Sequence, residues 1–167
     1  LELYGYQNGE YDCGVSRIHL LWDDGREEDL LISDLGDEVW GADGYTSCWS
    51  PENCLATGDY NFDGYTDLGL QIDTPAYNLP YYYWFYDAET DRFVPYRSWT
   101  CQLEIDAENE ACICQWHATP EYYTDTYRPD GEGGLYLARR DTEVYYSADG
   151  VKSFTEVYTA NEQPLTY

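Results

Sequence analysis

Ten consecutive residues, Asp59-Tyr60-Asn61-Phe62-Asp63-Gly64-Tyr65-Thr66-Asp67-Leu68, hold the most legible chemistry in the chain. Side-chain oxygens recur at loop positions 1, 3, 5 and 9 as Asp59, Asn61, Asp63 and Asp67, with Gly64 at position 6. Calcium is a hard cation that takes about six to eight oxygen ligands, so a tight turn of alternating carboxylates suits it. Gly64 permits the bend that aims those oxygens at one point. The predicted Ca2+ ligands are Asp59, Asn61, Asp63, the backbone carbonyl of Tyr65, and Asp67. Position 12, where an EF-hand needs a bidentate carboxylate, is Leu70. Leu68 to Ile72 alternates like a strand, so no exiting helix is expected. The competing reading is a metal-free turn, because Asp, Asn and Gly are turn formers in any case.

The elements around this loop read as strands. Asn8-Gly9, Asp24-Gly25, Asp43-Gly44, Asp63-Gly64, Asp130-Gly131 and Asp149-Gly150 are hairpin-type dipeptides set between β-rich runs. Expected strands include Ile18 to Trp22, Asp29 to Ile32, Leu68 to Ile72, Tyr81 to Tyr86, Arg92 to Val94 and Trp99 to Ile105. Ala111 to His117, Tyr122 to Tyr127, Leu135 to Arg139, Glu143 to Tyr146 and Phe154 to Tyr158 continue the series. Such spacing predicts an all-β, single-domain fold of antiparallel strands and hairpins, forming a twisted sandwich or partly closed barrel. Residues 1–54 would supply a hairpin and an irregular, disulfide-stapled N-terminal region, 55–147 a calcium-binding core, and 148–167 a C-terminal hairpin. Tyr81-Tyr82-Tyr83-Trp84-Phe85-Tyr86 is aromatic on both faces, which predicts that at least half of it is core; exposed rings would instead stack on sugars or anchor a partner.

Acidic residues outnumber basic ones 33 to 8, for a formal charge of −25. Nucleic acid is excluded as a partner on that balance, because its binding depends on Lys and Arg neutralising phosphates. Anionic membranes are disfavoured too, whereas a cationic protein or divalent cations would be attracted. Twenty Tyr and six Trp argue against disorder. No apolar run is long enough to span a bilayer. The chain contains no Met, and a removed leader or a lipid anchor upstream of Leu1 is expected.

Six cysteines, an even count, point to an oxidising, extracytoplasmic compartment: periplasmic, secreted or cell-surface. Cys48 and Cys54 bracket a short loop and are expected to pair. A hairpin turning at residues 106–109 would set Ile105 opposite Glu110 and Cys101 opposite Cys114, leaving Cys13 for Cys112. The rival use of Cys112, Cys114 and His117 as a zinc site lacks the second ligand pair such sites carry. No G-x-S-x-G elbow or phosphate-binding Gly loop occurs, and no catalytic residue is assigned, so an enzyme is not expected. His19 lies within a strand pattern and reads as a satisfied sheet residue. The Pro-bounded segment from Asp73 to Pro80, with Tyr77 and Asn78 at its centre, is the expected partner-contact loop; a rigid connection is the plainer reading.

A loop closed by Asp67 and leading into a strand resembles the calcium loops of FG-GAP and integrin-propeller blades. The order of that loop, Tyr83-Trp84-Phe85-Tyr86-Asp87-Ala88-Glu89-Thr90-Asp91-Arg92-Phe93, the hairpin around Ile105 to Asn109, and Tyr127-Arg128-Pro129-Asp130-Gly131 is similar to a family of bacterial envelope proteins. That family includes a periplasmic immunity protein against a lysozyme-like effector of a type IV secretion system, with a fold like the inhibitors of invertebrate-type lysozyme. The resemblance covers roughly residues 55 to 147. It implies a calcium-stabilised protein that binds and inhibits a cationic peptidoglycan hydrolase. The alternative is a calcium-dependent adhesion or carbohydrate-binding module of a surface protein, with a glycan as partner.

Overall fold

The computed structural model of the chain describes residues 1–8, 12–38, 44–48, 50–74, 78–146 and 150–160. Their strands are all antiparallel and form three sheets, none closed into a barrel. The first sheet joins β1 (Glu2–Gln7), β2 (Cys13–Leu21) and β3 (Glu27–Leu31). The second runs in the order β4 (Leu55–Gly58), β5 (Asp67–Gln71), β6 (Tyr81–Asp87), β7 (Arg92–Trp99). The third runs from the edge strand β12 (Gly150–Val157) through β11 (Leu135–Tyr146), β10 (Glu121–Pro129) and β9 (Ala111–Ala118) to β8 (Glu104–Asp106). A short 3-10 helix, Ile32–Glu38, follows β3.

The burial pattern explains why three sheets hold together. One core cluster joins Val15, Ile18 and Leu20 of the first sheet to Leu68, Leu70, Tyr82 and Trp84 of the second. The other joins Tyr81, Tyr83 and Phe85, on the opposite face of β6, to Cys112, Cys114, Tyr127 and Leu135 of the third. The four-stranded sheet is therefore the middle layer, and its central strands are buried on both faces. That is why Tyr81 to Phe85 can be aromatic without interruption: successive side chains enter different cores. Gly69 on β5 makes room for this, since a Cβ there would lie 2.7 Å from the Tyr83 ring. The Tyr83 hydroxyl, fully buried, accepts a hydrogen bond from the Leu103 N–H at 2.7 Å.

Several sequence expectations are corrected. Cys13 is bridged to Cys48, not to Cys112, and Cys48 is not bridged to Cys54. The reason is tertiary: Cys13 and Cys48 form an isolated antiparallel bridge with their Cα atoms 5.3 Å apart. Cys112 lies in the other core cluster from Cys13. Cys54 and Cys112 are free and buried, so the chain carries two thiols where none was expected. Cys101 is bridged to Cys114, but not through the expected register, because Ile105 faces Cys112 and not Glu110. β8 begins only at Glu104, and the chain before it bends so that Cys101 still comes within 5.7 Å (Cα–Cα) of Cys114. Leu135 to Tyr146 is one long strand and not two, with an irregularity opposite Thr126 and Tyr127. β1 and β4 are not among the expected strands. His19 sits as expected in β2, its Nδ1 2.8 Å from Asp29 Oδ1.

Candidate metal centre

The Asp-rich loop is the turn between β4 and β5, two adjacent strands of the middle sheet. Its shape is set by side chains bonding to nearby main chain, the behaviour that makes Asp and Asn turn residues. Asp59 accepts from the N–H groups of Asp63 at 3.0 Å and Gly64 at 2.9 Å. Asn61 Oδ1 lies 3.3 Å from the same Asp63 nitrogen, so the oxygens of positions 1 and 3 converge. Asp63 Oδ1 accepts from the Tyr65 N–H at 2.9 Å, and its Oδ2 takes the Asn61 amide at 2.9 Å. Gly64 has a φ of +90°, the conformation its place in the sequence predicts. Phe62 also sits at positive φ, +60°, where a side chain is disfavoured by about 1–2 kcal/mol. The surrounding bonds impose that conformation.

Asp67 plays a different part. It is fully buried and opens β5, and its two oxygens accept the N–H groups of Tyr60 and Tyr86, each at 2.9 Å. One carboxylate thus clamps the loop to β6. Burial pushes its pKa up from 3.8 to about 6, while these N–H bonds pull the other way. Asn61 Nδ2 also donates to the Gly133 carbonyl at 3.1 Å, tying the loop to the turn between β10 and β11. The thiol of Cys112 donates to the Tyr60 carbonyl at 3.3 Å, so the loop is held from below by the third sheet as well.

Every donor here is a hard oxygen, which is the chemistry calcium selects. Asp63 and the Tyr65 side chain are exposed, Asp59 is half-buried, and Asn61 is buried beneath the turn. Among the described residues no three His, Cys, Asp or Glu side chains form a ready-made cage. The set is mixed: two carboxylates, an amide and a carbonyl, with Asp67 set deeper behind two N–H groups. The Cys112–Cys114–His117 zinc alternative is gone, because Cys114 is in a disulfide.

The expected contact loop is only partly visible. Tyr77 lies outside the described residues. Asn78 is engaged on both ends of its amide, donating to the His117 carbonyl at 3.1 Å and accepting from the His117 N–H at 3.0 Å. It therefore fastens the segment after β5 to β9. Sequence reasoning missed a buried ion pair in the third sheet: Arg140 meets Asp125 through two bonds of 2.6 and 2.7 Å, and Trp116 Nε1 donates to the same carboxylate at 2.9 Å. The only sequence signal was a lone Asp on the inward register of β10.

No protein-family profile matches the chain, and no curated protein does. One solved structure does. It is described as "Structure of a Xanthomonas Type IV Secretion System related protein", and it superposes with a TM-score of 0.69 at 11% identity. The match covers 98% of this chain and 86% of that one. It shows that the two share a fold.

Proposed function

We propose that this protein is an extracytoplasmic, calcium-stabilised binding protein that docks on a cationic, lysozyme-like peptidoglycan hydrolase and blocks it. The observation that carries the reading is the shared fold along nearly the whole chain with a type IV secretion system related protein, together with an all-oxygen loop between β4 and β5. Two disulfides fit an oxidising compartment. A charge of −25 would steer a basic hydrolase toward it and speed their encounter. Asp59, Asn61, Asp63, the Tyr65 carbonyl and Asp67 would hold the ion, whose role is to neutralise the gathered carboxylates and stiffen the turn. The protein acts by binding, not by catalysis.

A second reading has its own observation. On the outer face of the third sheet, Tyr122 stacks on His117 at 5.1 Å and 17°, with Tyr145 edge-on at 4.9 Å. Tyr122 and Tyr145 are about half exposed, the kind of ring shelf that receives a sugar. A panel of basic lysozymes and a glycan array, each run with calcium and with EDTA, separates the two. Stoichiometric loss of muramidase activity in calcium supports the inhibitor. Glycan retention with every hydrolase left active overturns it in favour of the adhesion or carbohydrate-binding module.

A further inference from the structure

Beside the Asp-rich loop runs an open groove of about 710 Å³, bounded by residues 61–65, the β6–β7 hairpin and the 130–134 turn. Its floor is aromatic: Phe85 and Tyr96 are stacked at 4.3 Å and 18°, and Tyr65 meets Tyr86 at 5.2 Å near one end. Its rim is acidic, with Asp87 and Glu89 on the hairpin side and Asp130 and Glu132 on the turn side. Tyr96 holds the two walls in register, since its hydroxyl accepts from the Leu135 N–H at 2.8 Å and donates to the Leu135 carbonyl at 3.2 Å.

No basic residue is among the described residues that line the groove. The chain has only eight Lys and Arg, and six of them are engaged elsewhere. Arg17 pairs with Asp29, Arg26 with Asp24 and Asp91, Arg139 with Asp141, and Arg140 with Asp125. Arg97 lies over the Trp99 ring and Lys152 over Tyr146, and Arg92 stands across the β6–β7 ladder from Asp87. The rim acids are met by neutral donors instead. Asp87 accepts from the Glu89 N–H and the Thr90 hydroxyl, and Asp130 from the N–H groups of Glu132 and Gly134. Among the described residues no ion pair joins a cation to any of these four acids. Asp63 also borders the groove, but its carboxylate belongs to the loop.

We propose that this groove is the docking site for a partner-protein segment that presents arginine or lysine side chains. The inference rests on the binding role proposed above and adds where, and by what chemistry, the partner is held. A guanidinium lying on a Tyr face gains a cation–π contact, and its edge forms paired hydrogen bonds with a carboxylate. An aromatic floor between two acidic walls supplies both at once. An anionic segment would face four carboxylates and no cation.

The test uses the full chain in calcium buffer, with acetyl-hexa-arginine amide as the direct probe and a basic lysozyme panel as the functional one. Amide NMR shifts on peptide addition should concentrate in residues 85–96 and 130–134. Glu89→Lys with Glu132→Lys should weaken peptide affinity and lysozyme inhibition by about tenfold or more. Glu52→Lys with Glu108→Lys changes the net charge equally away from the groove and should alter both less than about threefold. Shifts spread over the whole acidic surface, or equal losses from the two pairs, overturn the groove. Inhibition that survives the Glu89/Glu132 reversals overturns it while leaving the inhibitor reading intact. Groove-localised peptide binding with no lysozyme inhibited sinks the inhibitor reading and leaves the groove standing.

Discussion

Replacing Asp67 with Ala separates the architecture of the loop from any ion it holds. The carboxylate accepts two N–H groups, from Tyr60 and Tyr86, in a fully buried place. Hydrogen bonds to a charged partner contribute about 1.5–3 kcal/mol each, so the pair is worth about 3–6. Burial of the charge offsets part of this, since the pKa stays raised to about 6 even with both bonds in place. The net loss expected for Asp67→Ala in EDTA at pH 7.5 is therefore about 2 kcal/mol, or about 4–8 °C in melting temperature for a chain of this size. Calcium at a hundredfold its dissociation constant should add about 2.7 kcal/mol to the wild type and almost nothing to the variant. The gap should widen to about 5 kcal/mol. Urea titration followed by Tyr and Trp fluorescence, in calcium and in EDTA, measures both gaps. No gap in EDTA would refute the clamp. A gap identical in the two buffers would refute the ion.

Asp67 also sets a pH dependence. Its folded pKa lies above the unfolded value, so the cost of its charge is fully present above about pH 6 and is relieved as pH falls toward 4. In EDTA the stability of Asp67→Asn relative to wild type should fall between pH 7.5 and 5; a difference flat across that window contradicts the buried charge. Ellman titration should find two thiols per chain after unfolding in guanidinium and none in the folded protein, since burial raises Cys54 to about 11 and Cys112 to about 12. Zero thiols on unfolding would restore a third disulfide. Arg140→Ala strands the buried Asp125 charge and should cost about 3–5 kcal/mol by denaturant titration, with Arg140→Ala/Asp125→Ala milder than the single change; equal costs would show that the pair is not coupled. Tyr83→Phe removes the acceptor of the buried Leu103 N–H and should cost about 1–3 kcal/mol, and a loss below about 0.5 would mean the N–H finds another partner.

Most of the fold was legible because the signals for it are local. Asp24-Gly25 does turn β2 into β3, and Tyr81 to Tyr86 is a strand, since two-residue turns and period-2 alternation act over a few residues. The strands without a sequence signal, β1 and β4, are short or largely exposed and lack an apolar face. The Cys101–Cys114 bridge followed from hairpin reasoning even though the register was off by two, because the bend before β8 makes up the difference. The N-terminal pairing failed for the opposite reason. Cys13 and Cys48 are 35 residues apart, and nothing near either one announces the other.

By itself the sequence determined the class of structure and the chemistry of one turn: alternating β-formers can only make sheets, and Asp-x-Asn-x-Asp-Gly bonds to its own main chain wherever it lies. Which oxygens stay at the surface and which are buried was decided by the middle sheet. Once β5 and β6 are covered on both sides, Asp67 is drawn inward to satisfy two N–H groups that water cannot reach. The groove beside it likewise exists only in three dimensions. Its walls come from residues 87–89 and 130–132, brought face to face by the packing of one sheet on another, and no described Lys or Arg lines it.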